Sequence, residues 1–176
     1  GGVSCVIATF RTRNIISDGG TIPYKIVFDA ADATVIQFSR AGISAPSQNL
    51  ATLVSNGVGL PSGTYTYRYT GVNSFGVESD ISPDSNSFSV TLKKILISTF
   101  PTYPGSTGVE TIRIYRNTAG VAGVFYRLTS ITNGINQYND NIADSSLVTA
   151  APSDNATPSK FIIMLVHKDR LYGVTA

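Results

Sequence analysis

The sequence predicts an all-β protein that is built as an antiparallel β-sandwich. Short runs in which apolar and polar residues alternate recur along the chain, and glycine, proline and asparagine separate them. The clearest run places Tyr65, Tyr67 and Tyr69 between threonines and an arginine, so a period of two sets the three rings on one face of a strand. Turn-forming residues at Asn73 and Gly76 then lead into a return segment, which completes a β-hairpin.

Composition bounds the size and the class of the protein. A length of 176 residues allows one domain, or one domain with an appendage, and an apolar content of 42% is enough for a buried core. Charged residues make up 14% and the net charge is +2, which excludes a disordered chain and a dedicated nucleic-acid binder. Cys5 is the only cysteine, so the chain forms no internal disulfide and no thiolate zinc site.

The sequence predicts neither a membrane segment nor a signal peptide. The longest purely apolar run is Phe161–Val166, whereas a membrane-spanning helix needs about 20 apolar residues. The N-terminus has no basic stretch followed by an apolar core. We therefore expect a soluble protein, and the low cysteine content suits assembly in a reducing cytoplasm.

Residues 1–58 are predicted to form an N-terminal β-rich extension or small subdomain. Apolar alternation indicates strands at three places, within residues 3–7, 24–28 and 34–38. Residues 47–56 fit a short helix that Ser47 caps, and a strand is the alternative. The small residues at 57–62 are the predicted domain boundary.

Residues 59–146 are predicted to form the sandwich itself. After the tyrosine hairpin, alternating runs indicate further strands within residues 88–97, 111–116, 124–131 and 137–140. Residues 100–108 contain the prolines and glycines that are typical of a loop, and Asn133-Gly134 is typical of a tight turn.

Residues 147–176 are predicted to be a linker followed by docking strands. Residues 147–160 are rich in alanine, serine, threonine and proline, which favours an extended linker. The unbroken apolar run Phe161–Val166 indicates a buried strand, and Leu171–Val174 indicates a second one. This pair of strands needs a partner, which residues 1–58, another subunit or sequence outside this chain would supply.

Two groups of polar residues are candidates for a reactive or metal-binding site. His167 with Asp169 and a serine would provide the parts of a catalytic triad, but the sequence has no Gly-x-Ser-x-Gly nucleophile turn. We therefore predict no enzyme, and we interpret His167 as a strand-end residue whose ring bonds to the backbone. Asn139–Asn141 and Asp144 offer oxygen ligands that calcium accepts, but their spacing lacks the closing glutamate of an EF-hand, so turn formation is the preferred interpretation. No catalytic residue, cofactor site or metal site is predicted.

Aromatic and basic side chains on the strands are the remaining candidates for a binding surface. Tyr65, Tyr67 and Tyr69 would suit a stacking ladder for sugars or bases, but a core or interface face is the preferred interpretation. Four strand arginines would suit a surface that faces DNA, but solvated faces or rim contacts are the preferred interpretation for them. These arginines are Arg68, Arg113, Arg116 and Arg127. The glycosylation sequon at Asn155 is discounted because a proline follows it and no secretory signal is visible.

The segment 67–79 reads Tyr-Arg-Tyr-Thr-Gly-Val-Asn-Ser-Phe-Gly-Val-Glu-Ser. It resembles the late hairpin of fibronectin type III and related immunoglobulin-like domains, in which an alternating tyrosine strand leads into an Asn-x-x-Gly-x-x-Ser turn. This resemblance implies an immunoglobulin-like, fibronectin type III-like antiparallel sandwich for residues 59–146. The hairpin stands first in this domain rather than last, so the strand order departs from that of the family.

A second resemblance covers roughly residues 60–173 and depends on short motifs in a fixed order. The motifs are Leu60–Tyr67, Gly76–Ser79, Ile112–Arg116, Phe125–Leu128, Tyr138–Asp140, Pro152–Asn155 and His167–Gly173. Their succession is similar to a module of tailed-bacteriophage virion proteins. In those proteins the Arg-Leu-Tyr-Gly element, here residues 170–173, often opens a β-propeller.

The second resemblance implies a structural component of a bacteriophage particle, located in the tail or at the head–tail joint. The expected partners are other virion proteins and further copies of the chain, bound through residues 1–58 and 147–176 by strand addition. The expected location is the virion, after assembly in the host cytoplasm. The alternative is a carbohydrate- or receptor-binding module on a fibre or capsid surface, and contact with DNA or a host glycan stays open.

Overall fold

A computed structural model describes residues 6–10, 13–17, 24–28, 35–40, 42–153, 155, 161–167 and 170–175. In this part of the chain the secondary structure consists almost entirely of antiparallel β-strands, which confirms the predicted all-β class. Two short 3₁₀ turns, Gly105–Thr107 and Asp144–Ser146, are its helical segments. No helix among the described residues has the length and apolar character that crossing a membrane requires.

The first of two compact units contains Gly1–Ile43 and Ala156–Ala176. Four of its strands form an antiparallel meander, namely β1 Val6–Phe10, β2 Arg13–Ser17, β3 Tyr24–Phe28 and β4 Val35–Arg40. Two more form a hairpin, β13 Phe161–His167 and β14 Arg170–Thr175. Strand β1 lies close to β13 and β14, so the N-terminal residues contact the C-terminal hairpin, which agrees with the first of the three predicted sources.

The second compact unit is Ser44–Asn155. Its strands are β5 Ala51–Val58, β6 Gly63–Tyr65, β7 Tyr67–Asn73, β8 Phe88–Val90, β9 Lys93–Ser98, β10 Val109–Arg116, β11 Tyr126–Thr132 and β12 Gln137–Asp140. One antiparallel sheet has the order β11-β10-β7, a second has the order β12-β9-β5, and β6 pairs with β8. Side chains of both sheets join one buried apolar cluster, to which Tyr69 and Ile114 contribute from the first sheet and Ile95 and Ile97 from the second.

The predictions for residues 47–62 need correction. The helix alternative for residues 47–56 is wrong and the strand alternative is confirmed, because β5 pairs with β9 over Ala51–Val58. This pairing places β5 in the second unit, so the compact units differ from the domains predicted with boundaries after residues 58 and 146. At the other end, the N–H groups of Arg127 and Ala151 donate to the carbonyl oxygens of Thr149 and Phe125, which joins the start of the predicted linker to the β11 region.

Candidate functional site

Arg116 ends strand β10, and its side chain is completely buried. Ile112 and Ile114 precede it on the same face of the strand, because side chains alternate with a period of two. Both isoleucines are fully buried, so the strand carries Arg116 into the same interior. The interpretation of Arg116 as a solvated or rim residue is therefore wrong. The signal in the sequence for this burial was the alternation that places Arg116 on the same strand face as Ile112 and Ile114.

The guanidinium group of Arg116 binds two carboxylates. Its Nη1 donates a hydrogen bond to Asp140 Oδ2 at 2.6 Å, and its Nη2 donates one to Asp144 Oδ1 at 2.5 Å. Nη2 also donates to the carbonyl oxygen of Ile142 at 3.0 Å, and Nε donates to that of Asn117 at 3.2 Å. These partners compensate the loss of hydration that makes an unpaired buried charge unfavourable.

Asp140 extends this network from one sheet to the other. It ends strand β12, is fully buried, and accepts hydrogen bonds from the Tyr67 hydroxyl at 2.8 Å and from the Ile142 N–H at 3.0 Å. Burial and the neighbouring Asp140 carboxylate raise the pKa of Tyr67. Because Tyr67 and Arg116 belong to the sheet β11-β10-β7, their bonds to Asp140 tie that sheet to the sheet β12-β9-β5.

The oxygen-rich segment Asn139–Asn141 with Asp144 was the candidate calcium site. The carboxylates of Asp140 and Asp144 instead face Arg116, and Asp144 Oδ2 accepts the N–H of Ala119 at 2.8 Å. The bond from the Ile142 N–H to Asp140 Oδ1 is an Asx turn, which confirms the turn-forming interpretation of Asp140. Among the described residues, no group of three or more histidine, cysteine, aspartate or glutamate side chains is arranged to hold a metal ion.

Glu78 is the centre of a second polar cluster within the same unit. Its carboxylate accepts hydrogen bonds from Thr70 Oγ1 at 2.6 Å, from Arg113 Nη1 at 2.5 Å and from the Tyr115 hydroxyl. Burial and the hydrogen bond to Glu78 raise the pKa of Tyr115 to about 12. The cluster links the return segment of the tyrosine hairpin to β10, so Arg113 contributes to the packing of this unit.

Three serines at a spacing of three residues cover the free edge of β7. Their backbone N–H groups donate to carbonyl oxygens of β7 at 2.9 Å, and each serine Oγ accepts the N–H of the same β7 residue at 2.9–3.0 Å. The pairs are Ser79 with Gly71, Ser82 with Tyr69, and Ser85 with Tyr67. The predicted return strand is thus an extended segment in which serine hydroxyls, instead of backbone carbonyl oxygens, accept the N–H groups of β7. It protects a strand edge that would otherwise invite aggregation.

The tyrosine face of the hairpin is buried, as its preferred interpretation predicted. Tyr65, Tyr67 and Tyr69 are fully inaccessible to solvent, so they form no stacking platform for a ligand. Burial raises the pKa of Tyr69 to about 12. The hydroxyls of Tyr69 and Tyr103 are buried and have no hydrogen-bond partner within the described residues.

The other predicted candidates lie apart from these clusters. His167 ends β13, where its backbone pairs with Arg170, while its side chain and the whole of Asp169 lie outside the described residues, as does Cys5. Arg127 is exposed on β11, in agreement with the predicted solvated face. The amide of Asn155 donates to the carbonyl oxygen of Ser79 at 3.3 Å, so this side chain serves packing.

A small open cleft lies between the loop 117–125 and the start of the tyrosine hairpin. Its volume is about 190 Å³. It is lined by hydroxyl, carboxylate and amide side chains, by one aromatic ring and by small loop residues; the larger side chains are Thr64, Thr66, Asp84, Ser87, Asn117 and Phe125. Sequence reasoning missed this cleft because its residues come from three separate segments and form no local pattern.

No protein-family model matches this chain, and no curated protein is significantly similar to it in sequence. The chemistry of the described residues is therefore the basis for a function. The carboxylates of Asp140, Asp144 and Glu78 are held by arginine, tyrosine and backbone donors, which suits mechanical stability. The polar side chains of the cleft keep part of their hydrogen-bonding capacity, which suits binding.

Proposed function

We propose that this chain is a structural component of a bacteriophage particle, assembled through subunit–subunit contacts in the tail or at the head–tail joint. In this proposal its partners are other virion proteins and further copies of the chain, and it is neither an enzyme nor dependent on a cofactor. Its unit Ser44–Asn155 would be an immunoglobulin-like, fibronectin type III-like sandwich. The two three-stranded sheets with a shared apolar cluster support that finer assignment.

The observation that carries this proposal is that the ordered motifs contact one another. Tyr67, Arg116 and Asp140 come from three different motifs of the series and meet in one buried network. Glu78, from a fourth motif, binds Arg113 and Tyr115 of the motif Ile112–Arg116. The motifs of the series thus form internal hydrogen bonds that stabilise this unit, which suits a structural protein of a virion.

A further contact comes from the motif Phe125–Leu128. The guanidinium of Arg68 lies 4.3 Å from the centroid of the Phe125 ring, a cation–π contact. A series of motifs that served catalysis would instead bring reactive groups to an open surface. These contacts therefore support a structural role more than an enzymatic one.

The first compact unit, Gly1–Ile43 with Ala156–Ala176, is the proposed docking part. Ile7 on β1 is 62% exposed and Tyr172 on β14 is 49% exposed. Large apolar side chains on exposed strands suit contact with a neighbouring subunit, where their burial would contribute to association.

Immunogold electron microscopy of purified particles tests the structural role. An antibody raised against the purified chain should label one fixed position on each particle, in the tail or neck, and should not label particles from which the gene is deleted. Label at fibre tips or over the capsid surface would favour the alternative of an adhesion module. A chain found free in the lysate and absent from particles would overturn the proposal.

Particle incorporation of a variant tests the docking part. Ile7→Asp with Tyr172→Asp should reduce incorporation strongly, because two charges replace apolar contact area. Leu92→Asp with Ile135→Asp is the matched control, since these side chains are 57% and 46% exposed but lie in the other unit. Equal incorporation of both variants would contradict the assignment of subunit contacts to the first unit.

A further inference from the structure

The polar groups of the cleft keep unused hydrogen-bonding capacity. Thr64 Oγ1 pairs with Ser89 Oγ at 2.8 Å, and Thr66 Oγ1 pairs with Ser87 Oγ at 3.1 Å, both at exposed positions. Each hydroxyl has one donor and two acceptor sites, so each pair uses one proton and leaves the second proton and several lone pairs available. Thr64, Thr66 and Ser87 line the cleft, so it presents the Thr66–Ser87 pair and the hydroxyl of Thr64 to a ligand.

A carboxylate stands beside these hydroxyls. The Asp84 side chain is 51% exposed, and its Oδ1 accepts a hydrogen bond from Arg68 Nε. Asp84 lines the cleft, and its Oδ2 is not bound by that contact. Since Arg68 already pairs with Asp84 and stacks on Phe125, the cleft offers an acceptor rather than a free cation.

The walls of the cleft are fixed, and its rim is open. The Asn117 side chain accepts the Thr66 N–H at 2.6 Å and donates to the carbonyl oxygens of Thr64 and Val121 at 3.1 Å, so it holds the loop rather than a ligand. Gly120 and Gly123 have φ angles of 72° and 83°, in the left-handed region that favours glycine. An added Cβ at either glycine would meet no atom within 4 Å, so the rim has room for an entering group.

This chemistry selects one class of ligand. A carboxylate acceptor with neighbouring hydroxyls disfavours phosphates and other anions, and a single paired carboxylate is a poor cation site. The volume of about 190 Å³ is below the roughly 300–1,000 Å³ of pockets for drug-sized molecules, which restricts the occupant to one small ring. A hydroxyl-rich ring satisfies the Asp84 acceptor and the hydroxyls of Thr64, Thr66 and Ser87 together.

We propose that this cleft binds one neutral hexopyranose unit of a glycan. Asp84 accepts hydrogen bonds from two adjacent sugar hydroxyls, and Thr66 and Ser87 exchange hydrogen bonds with a third. The buried Phe125 contributes an aromatic ring to the lining, and the open rim lets further sugar units extend into solvent. This binding function goes beyond the structural role and does not depend on it.

Titration of the ¹⁵N-labelled full chain, followed by nuclear magnetic resonance, tests this site. The probes are the methyl glycosides of glucose, galactose, mannose and N-acetylglucosamine. At least one should cause saturable shift changes at the amides of Thr66, Ser87 and Gly120. If none of the four perturbs cleft amides, or if the changes lie elsewhere on the chain, the proposal is overturned.

Two variants separate specific binding from general surface effects. Asp84→Asn should raise the dissociation constant about tenfold or more, because it removes a charged acceptor. Glu110→Gln removes another exposed carboxylate, on β10 and outside the cleft, and should leave the dissociation constant unchanged. Unperturbed amide signals of β9 residues, away from both substitutions, show that each variant is folded. An Asp84→Asn chain that binds as tightly as the natural chain would refute the assignment.

Discussion

Replacement of Arg116 by methionine tests the buried network most directly. Methionine fills a similar volume but removes the four hydrogen bonds that the guanidinium donates. Asp140 then keeps only the Tyr67 hydroxyl and the Ile142 N–H as donors, in a position with no solvent exposure. The variant therefore leaves a buried carboxylate without its countercharge.

The expected loss is a large part of the stability of the unit. Breaking a buried ion pair by removing one partner costs about 3–5 kcal/mol. Domains typically unfold with a free energy of roughly 5–15 kcal/mol, so Arg116→Met should unfold a substantial fraction of molecules at elevated temperature. The double variant Arg116→Met with Asp140→Asn removes the uncompensated charge, so its loss should be smaller than the sum of the single losses by more than about 1 kcal/mol.

Urea unfolding of the full chain, followed by circular dichroism, measures these losses. Because the chain has two compact units, hydrogen exchange of peptides from β7 and β10 assigns the affected transition to Ser44–Asn155. Arg127→Met is the control, since Arg127 is an exposed arginine on the neighbouring strand β11. Its free energy of unfolding should change by less than about 0.5 kcal/mol.

Two results would refute the reasoning about this network. One is a loss below about 1 kcal/mol for Arg116→Met, which is the range of exposed ion pairs. The other is a coupling energy near zero between Arg116 and Asp140 in the double-mutant cycle. Either result would mean that the guanidinium does not compensate the Asp140 carboxylate in the folded chain.

Three further predictions concern the tyrosines and the serine ladder. Tyr69→Phe should leave the free energy of unfolding unchanged or raise it, because it removes an unpartnered hydroxyl. Tyr67→Phe should lower the free energy of unfolding by about 1.5–3 kcal/mol, because it removes the hydrogen bond to Asp140. Equal losses for the two variants in denaturant unfolding would contradict this prediction. Burial raises the pKa values of Tyr69 and Tyr115 to about 12, against an ordinary 10.0. The contribution of these two tyrosines to the free energy of unfolding is therefore complete below pH 10 and is lost as the pH rises toward 12. Each such tyrosine should make the free energy of unfolding fall by up to about 1.4 kcal/mol per pH unit in that window, with tyrosinate absorbance appearing together with unfolding; ionisation before unfolding would count against it. Ser82→Ala should cost about 1–3 kcal/mol because it leaves the Tyr69 N–H without its side-chain acceptor, and unchanged hydrogen exchange at that amide would show the ladder to be unimportant.

Most of the strand positions were predictable, because alternation is a local property. Strand β12 spans the predicted residues 137–140, and β10 starts two residues before the predicted run. Strand β5 was ambiguous because residues 47–56 satisfy both a helical and a strand pattern, and only its pairing with β9 resolves the choice. Strand β2 was not predicted, although Arg13–Ser17 pairs with both neighbouring strands.

The chemical roles of polar residues were less predictable, because they depend on partners that are distant in sequence. Asp140 was interpreted as a turn residue, which is correct, but its bond to Arg116 spans 24 residues and leaves no local signal. The hydrogen bond from Arg113 to Glu78 spans 35 residues, so it also leaves no local signal. The cleft proposed to bind a sugar combines residues of three separate segments, so no local motif indicates it.

By itself, the sequence determined that the chain is all-β and that Tyr65, Tyr67 and Tyr69 share one face of a strand, in a core or at an interface, since a period of two acts within one strand. Tertiary structure alone decided that Arg116 meets Asp140 and Asp144, that β5 belongs to the second unit, and that serines complete the edge of β7. The physical reason is that burial of a charge is unfavourable unless an opposite charge lies beside it, and here strands that are distant in sequence supply that opposite charge.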